Sequence, residues 1–218
     1  MSTPITRHIM HAARSSATPE QPTRRPHLVY ATLAVWAMVL VLVCGYLLAS
    51  HLLTLPQPSR DNPILMAAID EGRTAQERDG WMLVHVFYGD CGCSRRLADY
   101  LLERGRSPDA HEKILLVGEY GDFARRAEER GFIVEPIEPE ALKTRYNIEG
   151  VPLLIVADGW GRLRYVGGYT SRKQGPDIQD VAIFRAVQED RVLDSLPLFG
   201  CATSQELREA LNPLEAIL

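Results

Sequence analysis

From Leu28 to Ser50 the chain runs for 23 residues without a charge, LVYATLAVWAMVLVLVCGYLLAS. A helix of that length reaches about 35 Å at roughly 1.5 Å per residue, enough to cross a hydrocarbon core of about 30 Å. A buried helix of a soluble protein normally keeps a polar stripe, and this segment has none. It reads as a transmembrane helix, residues 28–50, with Tyr30 and Tyr46 near the interfaces and Cys44 as a lipid-facing apolar residue. Whatever else the chain does must be built from the residues that follow.

Flanking charge gives an orientation. Arg7, Arg14, Arg24 and Arg25 precede the span against one acid, Glu20, whereas the first basic residue after it is Arg60, followed at once by Asp61. The positive-inside rule leaves residues 1–27 in the cytoplasm and exports the remainder. Residues 1–27, rich in Ser, Thr, Pro and Arg, read as a disordered tail. A cleaved signal peptide is the alternative, but the apolar core exceeds the usual 7–15 residues and no A-x-A site follows. Thr23-Arg24-Arg25 is a poor twin-arginine match, since Pro26 and His27 come next. In a bacterium the expected place is the inner membrane, single-pass, with the soluble part in the periplasm, where disulfides persist.

A net charge of −4 gives no basic excess, so nucleic acid is not an expected partner. Four cysteines are too few for a disulfide scaffold. With Cys44 in the span, Cys91, Cys93 and Cys201 remain, an odd number. It implies one pair and a spare thiol, or three thiols with a shared task. The histidines show no zinc spacing, and Gly167-Gly168 lacks the pattern of a dinucleotide loop.

Residues 51–77 read as a linker followed by a short helix, with Asn62 as its cap and Pro63 in its first turn. The order of elements then alternates. Strands are expected at 81–88, 113–118, 132–134, 151–157 and 162–166, the last two joined as a hairpin around Asp158-Gly159-Trp160-Gly161. Helices are expected at 94–104, 122–130, 139–146 and 177–194. Residues 196–218 form an extension with Cys201 in a loop and a helix from Ser204. Alternating strands and helices imply an α/β sheet flanked by helices.

Chemistry concentrates where the first strand stops, at Phe87-Tyr88-Gly89-Asp90-Cys91-Gly92-Cys93-Ser94-Arg95-Arg96. A thiol in the first turn of a helix faces unpaired N–H groups and the positive end of the dipole, which favour the reactive thiolate. Arg95 and Arg96 add positive charge, or are simply solvated. His85, in the strand, reads as a proton carrier or a satisfied core histidine. Glu119 reads as a proton acceptor or surface charge.

Strand, cysteine turn, helix, then Asn147-Ile148-Glu149-Gly150-Val151-Pro152 and a hairpin together resemble the thioredoxin superfamily. In detail they resemble its membrane-tethered branch of extracytoplasmic proteins similar to TlpA and ResA. The resemblance covers about residues 78–195 and implies a thioredoxin-like mixed sheet, with a cis Pro152 beside the active cysteines. It also implies thiol–disulfide exchange with cysteine-containing extracytoplasmic proteins, among them those of cytochrome or copper-enzyme maturation, without an organic cofactor.

The motif departs from the family's Cys-x-x-Cys, and two registers stay open. Either Ser94 stands for the second cysteine and Cys93 is extra, or Cys91 and Cys93 are the redox pair, bent around Gly92. The pair is preferred, with Cys91 attacking and Cys93 resolving. Such a bond should be strained and oxidising. Cys201 is either a further resolving thiol or inert. A copper site of Cys91, Cys93 and Cys201 is the alternative chemistry, and a non-catalytic docking module the third reading.

Overall fold

The computed structural model describes residues 26–75 and 77–211. The expected tail thus lies, up to residue 25, outside the described residues. The chain divides into two compact units. The first holds most of helix α1, Pro26–Leu52. Within it His27–Leu48 is long and apolar enough to cross a membrane, and none of it is buried against protein.

The second unit, Ser50–Leu218, is built on a mixed sheet. Its elements are α2 (Pro63–Glu71), β1 (Trp81–Tyr88), α3 (Gly92–Arg104), β2 (Ala110–Val117), α4 (Phe123–Glu129) and β3 (Ile133–Pro136). There follow α5 (Pro139–Tyr146), β4 (Gly150–Val151), β5 (Leu153–Ala157), β6 (Leu163–Gly167), α6 (Asp180–Gln188), β7 (Cys201–Ala202) and α7 (Gln205–Leu211). The strand order is β3-β2-β1-β5-β6. β1, β2 and β3 run parallel, while β5 is antiparallel to both β1 and β6. This is the thioredoxin-like mixed sheet with flanking helices.

β1 sits in the middle, buried on both faces, so it reads as a continuous apolar run rather than an alternating one. Met82, Val84 and Val86 face one core with Leu65 and Ile69 of α2 and Leu142 of α5. Leu83 and Phe87 face the other, with Leu97 and Leu101 of α3, Phe123 of α4 and Phe184 of α6. Local chemistry sets the helix ends. Asn62 Oδ1 accepts from Leu65 N at 3.0 Å to open α2, and Asn147 adopts a left-handed conformation to close α5.

Two sequence-based expectations are corrected. α3 begins at Gly92 rather than 94, so Cys91 is its N-cap and Cys93 lies inside its first turn. α6 is nine residues, not the 18 of 177–194. Gly175-Pro176 holds the chain in a loop before it, and Asp190, at φ 60°, ends it.

Under α3 and α6 lies a buried polar chain. His85 Nε2 meets Glu112 Oε2 at 3.0 Å, and its Nδ1 meets the Tyr169 hydroxyl at 2.8 Å. Arg104 donates to both Glu112 oxygens at 3.0 and 2.8 Å, and its Nε pairs with Asp180 at 3.1 Å. The Tyr100 hydroxyl donates to Asp180 at 3.0 Å. His85 is therefore a satisfied core histidine on the strand face opposite Val84 and Val86. Glu119 is exposed beyond the end of β2.

Burial alone would raise the Glu112 carboxyl, but hydrogen bonds from His85 and Arg104 outweigh it and hold it down at about 2. A carboxylate lowered from 4.5 stabilises the fold above that value, and the contribution is lost as pH falls toward 2. The stability at stake is about 3 kcal/mol. Thermal unfolding of the full chain in detergent should show that loss between about pH 4.5 and 2, and Glu112→Gln should be less stable at pH 7 with a flatter acid limb. An unchanged acid limb would place the titration elsewhere.

Candidate active site

β1 delivers the chain to the cysteine turn. Gly89 N donates to Val117 O at 2.8 Å and Cys91 N donates to Tyr88 O at 3.0 Å, fixing the turn on the end of the sheet. Only a glycine fits at 89, since a Cβ there would fall 2.0 Å from Glu119 O. Ser94 is buried, and its Oγ accepts from Tyr88 N at 3.2 Å. In the register that equates it with a second cysteine, Ser94 thus faces inward and holds strand to helix.

The structure joins Cys91 not to Cys93 but to Cys201, 110 residues away, with Cα atoms 6.0 Å apart. That separation suits a disulfide. Cys91 is wholly buried, Cys201 half-buried, and Cys93 a free, half-buried thiol. The bent Cys91–Cys93 bond of the sequence reading is therefore not the one present. Cys93, carried into the first turn of α3, instead lines a recess with Pro152, Tyr169, Phe199, Arg96 and Gln174. The recess has about 30 Å³ of space for water, room for one or two molecules. Gln174 Nε2 lies 4.0 Å from Cys93 Sγ.

The peptide bond before Pro152 is cis, as the resemblance implied, and Pro152 borders the cysteines. Beside it the C-terminal extension returns as a strand. β7 pairs antiparallel with β4, Val151 opposite Cys201 and Gly150 opposite Ala202. Anchors lie on both sides of it. Leu55 N donates to Leu198 O at 2.8 Å, and Thr203 N donates to Glu149 O at 2.7 Å. The Ser204 hydroxyl donates to the Glu149 carboxylate.

The two arginines differ. Arg95 Nε is bonded to Gly89 O, and its guanidinium lies 5.2 Å from the Tyr120 ring centroid. Arg96 donates to Gly175 O at 2.6 Å and lines the recess. The residues that sequence reasoning missed are Tyr169, Gln174 and Phe199, which no motif marks. Gly167-Gly168 did carry a signal. Gly168 N donates to Leu196 O at 3.0 Å, and a Cβ at 168 would fall 2.1 Å from Pro197 O. The glycine exists to let the extension pass.

Among the described residues no group of three or more His, Cys, Asp or Glu is placed to hold a metal. The sulfurs of Cys91 and Cys201 are bonded to each other, so in this form they offer no thiolate to copper.

No protein-family model and no curated protein matches the chain. Solved structures do resemble it. The thioredoxin domain of a thiol-disulfide oxidoreductase from Bacteroides vulgatus is 16% identical, with a TM-score of 0.37 over 54% of this chain and 83% of that one. StoA from Bacillus subtilis is 13% identical, with a TM-score of 0.36 over 49% and 81%. An uncharacterized conserved protein from Geobacillus kaustophilus is 17% identical, with a TM-score of 0.40 over 58% and 77%.

Digestion of the full chain after alkylation without reductant should give one linked pair of peptides, containing Cys91 and Cys201, with the alkyl group on Cys93. An alkyl group on Cys201 and a bond between Cys91 and Cys93 would contradict the pairing. Gly168→Ala should loosen the extension and make the Cys91–Cys201 bond reducible at lower reductant concentration, read by the same labelling.

Proposed function

We propose that the chain is a membrane-anchored, extracytoplasmic thiol–disulfide oxidoreductase. The observation that carries the reading is a disulfide at the N-cap of α3, set against Pro152, with a free thiol two residues further on. A disulfide that served only to clamp the extension would not need Cys93 in the first turn of the same helix.

The roles follow from position. Cys91 is the central thiol. Its place at the N-cap of α3 puts the sulfur at the positive end of the helix dipole, which favours the thiolate. Cys201 is its partner in the oxidised state, and Cys93 is a second thiol at the recess. Pro152 and Val151 form the wall along which a partner's extended segment lies. Exchange passes through a mixed disulfide on Cys91, whichever way electrons flow. The partners are cysteine-containing proteins on the outer side of the membrane, and α1 is the anchor.

Titration of the full chain against a glutathione couple should reveal a reversible two-electron transition. Cys91→Ser and Cys201→Ser should each abolish it, and Cys93→Ser should leave it in place. A bond that resists the couple throughout would mark the disulfide as structural, with a loop-closure contribution of about 4–5 kcal/mol. Extraction tests the anchor: membranes washed at alkaline pH should retain the chain through residues 27–48, and release would remove the anchor from the proposal.

A further inference from the structure

The extension does more than bring Cys201 to Cys91. It lies as a strand on the free edge of β4, with Cys201 opposite Val151 and therefore Gly200 opposite Pro152. Phe199 reaches the recess shared by Cys93, Pro152 and Tyr169. At Gly200 the approach is so close that a Cβ would fall 1.8 Å from Val151 O and 2.5 Å from Pro152 Cδ. Both contacts are with backbone or a rigid ring, so neither can move aside cheaply. Gly200 does not have positive φ, and its requirement is purely one of space.

Resting on the oxidoreductase reading, we propose that β7 is an internal stand-in for the partner, and that the site takes an extended segment with a glycine immediately before its cysteine. The large apolar residue before that glycine forms part of the recess wall, as Phe199 does. Any other residue in the glycine's place meets the Val151 carbonyl and Pro152, so the segment cannot approach in register. Cys91 is wholly covered while β7 is in place, so the partner strand and β7 take turns on the same edge.

The chemistry balances in two steps. In the reduced chain the Cys91 thiolate attacks the partner's cysteine within a disulfide. A Cys91–partner bond forms, the partner's own S–S bond breaks, and its second sulfur leaves as a thiolate and takes a proton from water. Cys201, deprotonated to solvent, then attacks Cys91 Sγ. The Cys91–Cys201 bond forms, and the partner's first sulfur leaves with the electron pair and is protonated. The partner disulfide is reduced to two thiols and the chain's two thiols are oxidised to a disulfide; the reverse sequence oxidises a partner dithiol. The return of β7 to β4 expels the product strand.

The test uses the full chain in detergent with Cys44, Cys93 and Cys201 replaced by serine, leaving Cys91 as its thiol. Two peptides, Leu-Phe-Gly-Cys-Ala-Thr and Leu-Phe-Ala-Cys-Ala-Thr, each carry a thionitrobenzoate disulfide on the cysteine, and release of the coloured thiolate reports attack. The glycine peptide should react at least tenfold faster with Cys91, while both react equally with free cysteine. Equal rates with Cys91 would overturn the glycine requirement and leave the oxidoreductase reading standing. Inertness of Cys91 toward both peptides would overturn that reading and this inference together. In the otherwise native chain, Gly200→Ala should make the Cys91–Cys201 bond at least tenfold less favoured against glutathione. An unchanged equilibrium would show that the close approach does not govern what the edge accepts.

Discussion

Everything at the site is referred to one strand. β1 is hydrogen-bonded along both edges, to β2 and β5, and buried on both faces. A strand held on four sides can neither slip nor tilt, because a one-residue shift would turn His85 and Phe87 into the wrong core. Its last residue, Tyr88, is therefore a fixed point, and Cys91 follows it by three residues. Burial on this scale is what lets a short, glycine-containing turn carry a defined geometry.

The same strand carries a buried ionisable group, and its surroundings explain how that is tolerated. His85 lies between Glu112 and Tyr169, and Glu112 is doubly bonded to Arg104, which in turn pairs with Asp180. An isolated buried charge is costly, whereas opposite charges and hydrogen-bond partners on β1, β2, α3 and α6 compensate it. Burial, followed by the nearby charge of Asp180, pushes the Tyr169 hydroxyl well above its usual range, so it stays a neutral donor or acceptor. Tyr169 also lines the recess beside Cys93, and the polar chain thus reaches the wall of the site.

Local features were legible in the sequence because local physics decides them. β1 and α5 occupy the expected residues 81–88 and 139–146. Asn62 caps α2, and Ser204 Oγ accepts from Leu207 N at 3.2 Å to open α7. The pairing of Cys91 was not legible. Cys91 and Cys93 are neighbours in the chain, and Cys201 became a neighbour only through a strand pairing across 110 residues. No periodicity in Leu196–Thr203 announces β7, which is two residues long. Its marks are Gly168 and Gly200, which read as ordinary loop glycines until the chain they make room for is in view. The start of α3 was missed for a simpler reason: Gly92 and Cys93 are poor helix formers, and only the turn bonded to β2 places them in the helix.

The extension is tied down on each side of Cys201, by Leu198 at Leu55 and by Thr203 at Glu149. The side chains add to this, Leu198 being buried and Ser204 bonded to Glu149. These contacts do not depend on the disulfide. When the bond opens, the strand is held by its ends and its middle residues are the part free to lift. A tether of this kind keeps the Cys201 sulfur near Cys91 at the millimolar effective concentrations of a short linker, so re-formation of the bond is intramolecular and competes with any partner. The geometry thereby favours brief occupancy of the edge by other chains: a partner must match the close approach at Pro152 to enter, and is displaced by a strand that never leaves the neighbourhood.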